Sequence, residues 1–361
     1  MPAAEGPGPA GALTLAWRPY AFSLPRALVT SRGEWRQRRG WLLRLQAADG
    51  RRGWGEAADL DGPAVPGSSG SGPSLQAREP GELERALARL PARLERAALE
   101  ASLAGLPPPL ACALGMALAE LDGPGAGDWL TAPPSALLLP AGEAMEAALE
   151  EALAPPLAPG DRALPSSRPR STAWPLTLKW KVATGEDRLE RRLLEHLLRR
   201  LPDGARLRLD ANGGWDRPTA ASWAERLAEE PRLEWLEQPL PPADREGLEQ
   251  LAARLPVALD ESLRHGPGPA GEGWRGWQVR RPLAEGDPRP LLADLQAGTP
   301  RLMLSTALET GIGRRLLHHL AGLQALGPTP AAPGLAPGWR PDGPLFAADP
   351  ETVWRAAAQR P

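Results

Sequence analysis

Lysine is almost missing from this 361-residue chain: of 42 Lys and Arg residues, only Lys179 and Lys181 are lysines. Asparagine, isoleucine and tyrosine occur once each (Asn212, Ile312, Tyr20) and phenylalanine twice (Phe22, Phe346), against 14 tryptophans. The scarce types have AT-rich codons, so a GC-rich coding bias explains the pattern, with arginine replacing lysine wherever any cation serves. The surviving lysines are therefore candidates for chemistry that arginine cannot perform. A single cysteine, Cys112, excludes an internal disulfide and a cysteine-based metal site, and points to a reducing, cytoplasmic setting. The formal charge of −2 and the interspersed acids and bases leave no basic footprint for nucleic acid. No apolar run approaches the roughly 20 residues that span a bilayer. Met1–Ala10 lacks the cationic and apolar regions of a secretory signal.

Proline (44) and glycine (39) make up nearly a quarter of the chain, yet 42% of it is hydrophobic, enough for a large core. The Pro/Gly excess gathers in three connectors, Gly62–Ser74, Ala154–Ser171 and Gly327–Pro344. Ala12–Trp17, Trp41–Ala47 and Gly53–Glu56 read as strands, whereas Glu82–Leu106, broken near Pro91, and Leu110–Leu121 read as helices. The rhythm then changes. Short apolar segments at Ala136–Leu139, Leu176–Val182, Ala205–Leu209, Leu233–Leu236, Pro256–Leu259, Trp277–Val279 and Leu302–Leu304 alternate with amphipathic helices. Such alternation means βαβ units and a parallel sheet. Seven strands and a weak eighth near Leu326–Pro330 predict an α/β fold, a modified (β/α)8 barrel. An α+β capping domain over 1–128 precedes a barrel over 129–334, with the tail 335–361 packing back on the cap.

The residues at the ends of the apolar segments are Lys181, Asp210, Glu237, Asp260, Arg281 and Ser305, separated by 29, 27, 23, 21 and 24 positions. Each gap is about one βα unit, so these residues line the C-terminal rim of a barrel, where such folds build their sites. Asp210, Glu237 and Asp260 would repel one another there without a cation. A single Asp is as readily a helix cap, but three in register are not. All-oxygen ligation without Cys or His favours a hard ion, Mg²⁺, with Mn²⁺ as its substitute. Lys179 and Lys181, two apart on a strand, leave by one face, opposite Leu178, Trp180 and Val182. A like-charged neighbour and partial burial lower an ammonium pKa and make a neutral amine base accessible, a role closed to Arg.

These residues carry a resemblance. TLKWKVA with its K-x-K, LRLDANGGWD, EWLEQPLP, VALDES, GWGEAA and LSTALETGIGRRLLHHLA are similar to the motifs of the enolase superfamily in its muconate-lactonising branch, from about Trp17 to about Leu323. The whole pattern most resembles the o-succinylbenzoate-forming members. That resemblance implies metal ligation by Asp210, Glu237 and Asp260, acid/base catalysis by Lys181, and Lys179 as its companion. The implied activity is Mg²⁺-dependent syn dehydration of a succinyl-hydroxycyclohexadiene carboxylate, in menaquinone or phylloquinone biosynthesis. In that reading Lys181 takes the α-proton, Mg²⁺, Lys179 and Arg281 hold the enediolate, and Lys181 returns the proton to the leaving hydroxyl. The usual lysine–proline of the sixth strand is here Arg281-Pro282. Racemases of the branch need a base on each face, so Arg281 favours dehydration over a racemase or cycloisomerase; a non-catalytic scaffold is a third reading. Asn212 is a supporting residue or a turn residue. Ser305 and Thr306 hold the succinyl carboxylate or cap a helix, and Gly311-Ile312-Gly313 could offer amides to an anion. His196, His318 and His319 read as surface or packing residues and His265 as a residue near the rim. Most tryptophans read as core fillers, with Trp54 set apart by the cap loop that closes over the site.

Overall fold

The computed structural model describes residues 11–30, 33–58, 81–123, 129–154, 174–265 and 273–358; for 28–30, 33–35 and 265 it describes the backbone alone. Gly62–Ser74 and almost all of the Ala154–Ser171 connector fall outside the described residues.

The chain opens with a four-stranded antiparallel sheet. β1 (Ala12–Thr30), β2 (Gly33–Ala47) and β3 (Arg52–Ala57) are joined on the free edge of β1 by β4 (Arg93–Glu95), giving the order β3-β2-β1-β4. The helical stretch expected over Glu82–Leu106 is divided near Pro91 as read, but β4 corrects it at Arg93–Glu95. Helix α1 (Glu82–Ala88) stops short of Pro91, which forbids its continuation, and Leu94 pairs with Leu13 before α2 (Arg96–Ser102) begins under the Glu95 side-chain cap. Helix α3 (Pro108–Asp122) is buried almost all round, which its nearly unbroken apolar sequence requires. It lies directly on β3. A Cβ at Gly53 or Gly55 would come within 1.9 Å of the Ala117 or Ala113 carbonyl oxygen, so only glycine permits this approach.

The second unit alternates strand and helix. β5 (Leu137–Leu139), β6 (Thr177–Lys181), β7 (Arg206–Asp210), β8 (Leu233–Glu237), β9 (Val257–Leu259), β10 (Trp277–Arg280) and β11 (Leu302–Leu304) form one parallel sheet in sequence order. Helices α4 (Ala144–Leu153), α5 (Asp187–Arg200), α6 (Arg217–Leu227), α7 (Arg245–Ala252), α8 (Glu261–His265), α9 (Pro282–Glu285), α10 (Arg289–Gln296) and α11 (Gly311–Leu326) follow the strands. The expected eighth strand lies elsewhere. Leu326 still belongs to α11, and the gap between β11 and β5 is bridged by Ala332–Gly334. Gly334 bridges Ser305, and the Ala136 amide donates to the Pro333 carbonyl. Three prolines among 328–333 remove the donors a full strand needs.

Alternation sorts the side chains. Leu178, Trp180, Val182, Leu207, Leu209 and Leu236 join the layer under the helices. Trp235, Ala258, Val279, Met303 and Ala331 form a separate cluster inside the sheet's curve. The chain finishes at α12 (Pro350–Ala356), whose Trp354 sits edge-on to Trp54 of β3 at 5.6 Å between centroids. Arg18 donates to the Trp354 carbonyl and Phe22 meets Phe346, so the C-terminal segment touches the N-terminal sheet. No helix among the described residues is long and apolar enough to cross a membrane.

Candidate active site

The inward positions one step above the Trp235 cluster are Lys181, Asp210, Glu237, Asp260, Arg281 and Ser305. Lys181, Asp210 and Glu237 stand opposite one another in the register of β6, β7 and β8. Three apolar strands of equal length thus deliver a lysine and two carboxylates to one level.

The charges then pair off. Lys179 Nζ lies 2.8 Å from Asp210 Oδ2 and 2.6 Å from Glu237 Oε1. Arg281 grips Asp260 through Nε (3.1 Å) and Nη2 (2.7 Å), while its Nη1 donates to the Thr306 carbonyl at 2.8 Å. Arg264 adds a contact to Asp260 at 3.2 Å. Lys181 meets no carboxylate among the described residues; its Nζ donates to Asn212 Oδ1 at 3.1 Å, and Asn212 Nδ2 donates to Glu261 Oε1 at 3.1 Å. Asn212 also occupies a left-handed conformation (φ +46°), which asparagine tolerates better than most residues.

The electrostatics follow from burial against pairing. Burial works against the Lys179 ammonium, but Asp210 and Glu237 outweigh it and raise its pKa. This corrects the expectation of a lowered pKa for the lysine pair: Lys179 is held charged by the acids. Burial, then Asp210 and Asp260, push the Glu237 carboxyl up even though Lys179 opposes them. Burial would also lift Asp260, yet Arg281 and Arg264 hold it well below the usual carboxylate range. Glu261, half-buried and near Asp260 and Asp210, is pushed up to about 7 by desolvation and by their charges.

As they stand, no three His, Cys, Asp or Glu side chains among the described residues are set to enclose a metal ion, because Lys179 lies between Asp210 and Glu237 and Arg281 lies on Asp260. The donor chemistry nevertheless fits a hard divalent cation. Four carboxylates gather without a thiolate or imidazole contact, and the buried Oε2 of Glu261 has no hydrogen-bond partner.

Other expected residues fall away from this centre. The Ser305 hydroxyl turns to the Gly334 carbonyl at 3.4 Å, and the Thr306 hydroxyl donates to Glu309. Thr306 lines a cavity of about 240 Å³ beside α11, and its contribution to the rim is its carbonyl. Gly311-Ile312-Gly313 does meet an anion, but that anion is the chain's own Glu56, whose carboxylate takes the Thr310 and Gly313 amides. Trp54 faces Trp354 rather than the rim. His318 accepts from Arg314, and His319 accepts from the Leu130 amide beside Trp129. His196 is half-buried on α5, and the His265 side chain lies outside the described residues.

Sequence reading passed over two residues that set the site. Gln238, buried and left-handed (φ +40°), accepts from the Asp260 and Ser262 amides and donates to Leu240 and Ser262. Glu190 accepts from the Ala183, Thr184 and Gly185 amides and so holds the loop that follows Lys181. The neighbouring EQP and a buried helical Glu were the available signals.

A parallel sheet whose inward strand ends carry a K-x-K pair and three acids on successive strands has the groups that metal-assisted acid/base chemistry in a barrel enzyme needs. Residues 176–266 match the family of enolase C-terminal domain-like sequences. An o-succinylbenzoate synthase of Thermosynechococcus vestitus is 34% identical over 315 residues, covering 84% of this chain and 87% of that protein. The crystal structure of o-succinylbenzoate synthase from Thermosynechococcus elongatus BP-1, complexed with Mg in the active site, superposes with a TM-score of 0.71 at 29% identity, covering 95% of this chain and 99% of that one. The L-Ala-D/L-Glu epimerase of Bacillus subtilis shares the fold, with a TM-score of 0.63 at 18% identity and coverage of 87% and 88%. The chain belongs to the enolase superfamily, in its muconate-lactonising branch.

Proposed function

We propose that this chain is a Mg²⁺-dependent lyase that dehydrates a succinyl-hydroxycyclohexadiene carboxylate to o-succinylbenzoate, an aromatic intermediate on the way to menaquinone or phylloquinone. The observation that carries the reading is Arg281. It stands four strands from Lys181, pinned to Asp260 and Thr306, where the branch usually has a lysine. Arginine does not give up its proton in proteins, so this face offers a fixed cation and no base. A syn elimination needs one base; racemisation needs two.

Asp210, Glu237 and Asp260 are the residues that would hold Mg²⁺, with Glu261 beside them, and the ion would supply positive charge for the substrate carboxylate. Lys181 is the acid/base group. Its Nζ, held by a neutral amide rather than by a carboxylate, takes the α-proton in its neutral form. As an ammonium it returns a proton to the hydroxyl leaving from the same face, releasing water as the ring becomes aromatic. Lys179 and Arg281 stay charged throughout and balance the negative charge that develops. The 34% identical relative named an o-succinylbenzoate synthase supports this substrate.

Lys181→Arg tests the assignment: it keeps the charge and removes the base. Purified protein with Mg²⁺ and the cyclohexadiene substrate is followed by the absorbance of the aromatic product. Turnover in the wild type and its loss in Lys181→Arg, with the fold unchanged by circular dichroism, is the expected outcome. A variant as fast as wild type refutes the base, and an inactive wild type that epimerises N-succinyl amino acids moves the chain to the isomerases.

A further inference from the structure

The carboxylate of Glu56 belongs to the N-terminal sheet, yet its hydrogen bonds lie at the start of the barrel's last helix. Oε2 accepts from the Thr310 amide at 2.9 Å, the Gly313 amide at 3.1 Å and the Thr310 hydroxyl at 2.5 Å, and Oε1 accepts from the Tyr20 hydroxyl at 2.5 Å. Glu56 and Thr310 are completely buried, and Tyr20 nearly so. Thr310 is the N-cap residue of the 16-residue α11 but makes no side-chain cap of its own. The helix's unsatisfied amides, and the positive end of its dipole, are served across 254 residues of sequence by a side chain of β3. A Cβ on Gly313 would meet Glu56 Oε2 at 2.8 Å, so the glycine leaves room for this carboxylate.

The loop that runs from β11 into α11 is braced from Thr310 back to the site. Glu309 accepts from the Ala307 amide and the Thr306 hydroxyl, and Thr306 Oγ1 accepts from the Leu308 amide. Leu308 is held at φ +65°, a conformation that persists only where its surroundings impose it. The same loop presents the Thr306 carbonyl that accepts from Arg281 Nη1 at 2.8 Å.

We infer that Glu56 is a positioning residue: through Thr310 and the 306–309 loop it sets the carbonyl that aims the Arg281 guanidinium, and so couples seating of the N-terminal sheet to the reaction. Its importance for turnover rests on the proposed dehydration; the bracing itself does not. Glu56→Gln is nearly isosteric but loses the charge, and in either orientation its NH2 replaces an oxygen that accepts from a backbone amide. Tyr20→Phe and Thr310→Val each remove one bond and keep the packing. Leu149→Ala, a buried position in α4, supplies a control that loses stability by cavity formation alone.

Two measurements are made on the full-length protein. In hydrogen–deuterium exchange, Glu56→Gln raises exchange of the 306–313 amides about tenfold or more, and Leu149→Ala does not. In the dehydration assay, kcat of Glu56→Gln falls about tenfold or more, because misplacing a group by an ångström costs up to ~10²-fold. KM changes by less than twofold, and Leu149→Ala keeps the wild-type kcat below its melting temperature. Tyr20→Phe and Thr310→Val shift both readouts in the same direction to smaller extents, and they carry the test if Glu56→Gln does not fold. Unchanged exchange in 306–313, or a kcat loss no greater than that of the control, overturns the inference. An inactive wild type would instead refute the proposed reaction and leave the exchange result to judge the brace.

Discussion

Replacing Arg281 by lysine restores the residue usual in the sixth-strand motif and separates charge from geometry. Arg281 reaches Asp260 with Nε and Nη2 and the Thr306 carbonyl with Nη1, three nitrogens of one rigid plane. A lysine has one nitrogen, which can keep Asp260 or Thr306 but cannot hold both in the same geometry. The charge survives, and the net loss is about one charge-assisted hydrogen bond, about 1.5–3 kcal/mol. At ~1.4 kcal/mol per tenfold, kcat/KM should fall about 10- to 100-fold. Arg281→Met removes the charge as well and leaves Asp260 to Arg264, for a loss of about 10²–10³-fold. The aromatisation absorbance at saturating Mg²⁺ gives the rates. Proton NMR in D2O, with an N-succinyl amino acid, follows exchange and inversion at the α-carbon. The expected order is wild type, then lysine, then methionine. Lysine at the wild-type rate, or lysine and methionine equally slow, would refute the fixed-fork role. Inversion by the wild-type enzyme would refute the single-base mechanism.

Asp210→Asn, Glu237→Gln and Asp260→Asn should each weaken Mg²⁺ binding in calorimetry, with Asp260→Asn also unpinning Arg281; unchanged titrations would remove the metal site. Beneath the rim, Arg208 is fully buried, paired with Glu234 at 2.6 Å, bonded to the Ala332 carbonyl and stacked 4.0 Å over Trp235. Arg208→Met strands Glu234 and should cost about 3–5 kcal/mol in urea unfolding, whereas Arg208→Met with Glu234→Met should regain most of it. A double variant no more stable than the single would contradict the pairing. Cys112 is completely buried, and burial pushes its thiol pKa well up. A thiol reagent should leave the native protein unmodified and label it fully in guanidinium; fast native labelling would place Cys112 elsewhere.

Much of the rim was legible because period-two alternation is local. Once Leu178, Trp180 and Val182 face the helices, Lys179 and Lys181 must face inward, and the same step carries Asp210, Glu237, Asp260 and Arg281 to the rim. The βα spacing then brings them to successive strands. The helical reading of Arg93–Glu95 failed because β4 exists only where the edge of β1 can receive it, a partner about eighty residues away. Trp54 was misplaced for the same kind of reason: a strand's alternation gives two faces but does not say that α12 returns to cover one of them.

The chain's composition and periodicity thus determined, without any fold, that its two lysines leave one strand by the same face and that three acids share a rim with them. Tertiary structure alone decided the pairings. It gave Lys179 to Asp210 and Glu237, left Lys181 on a neutral amide, closed the sheet at Ala332–Gly334, and supplied Glu56 to a helix start 254 residues away. Which cation meets which carboxylate depends on distances of a few ångströms between strands and on how far each group is buried. Neither quantity leaves a local mark in the order of residues.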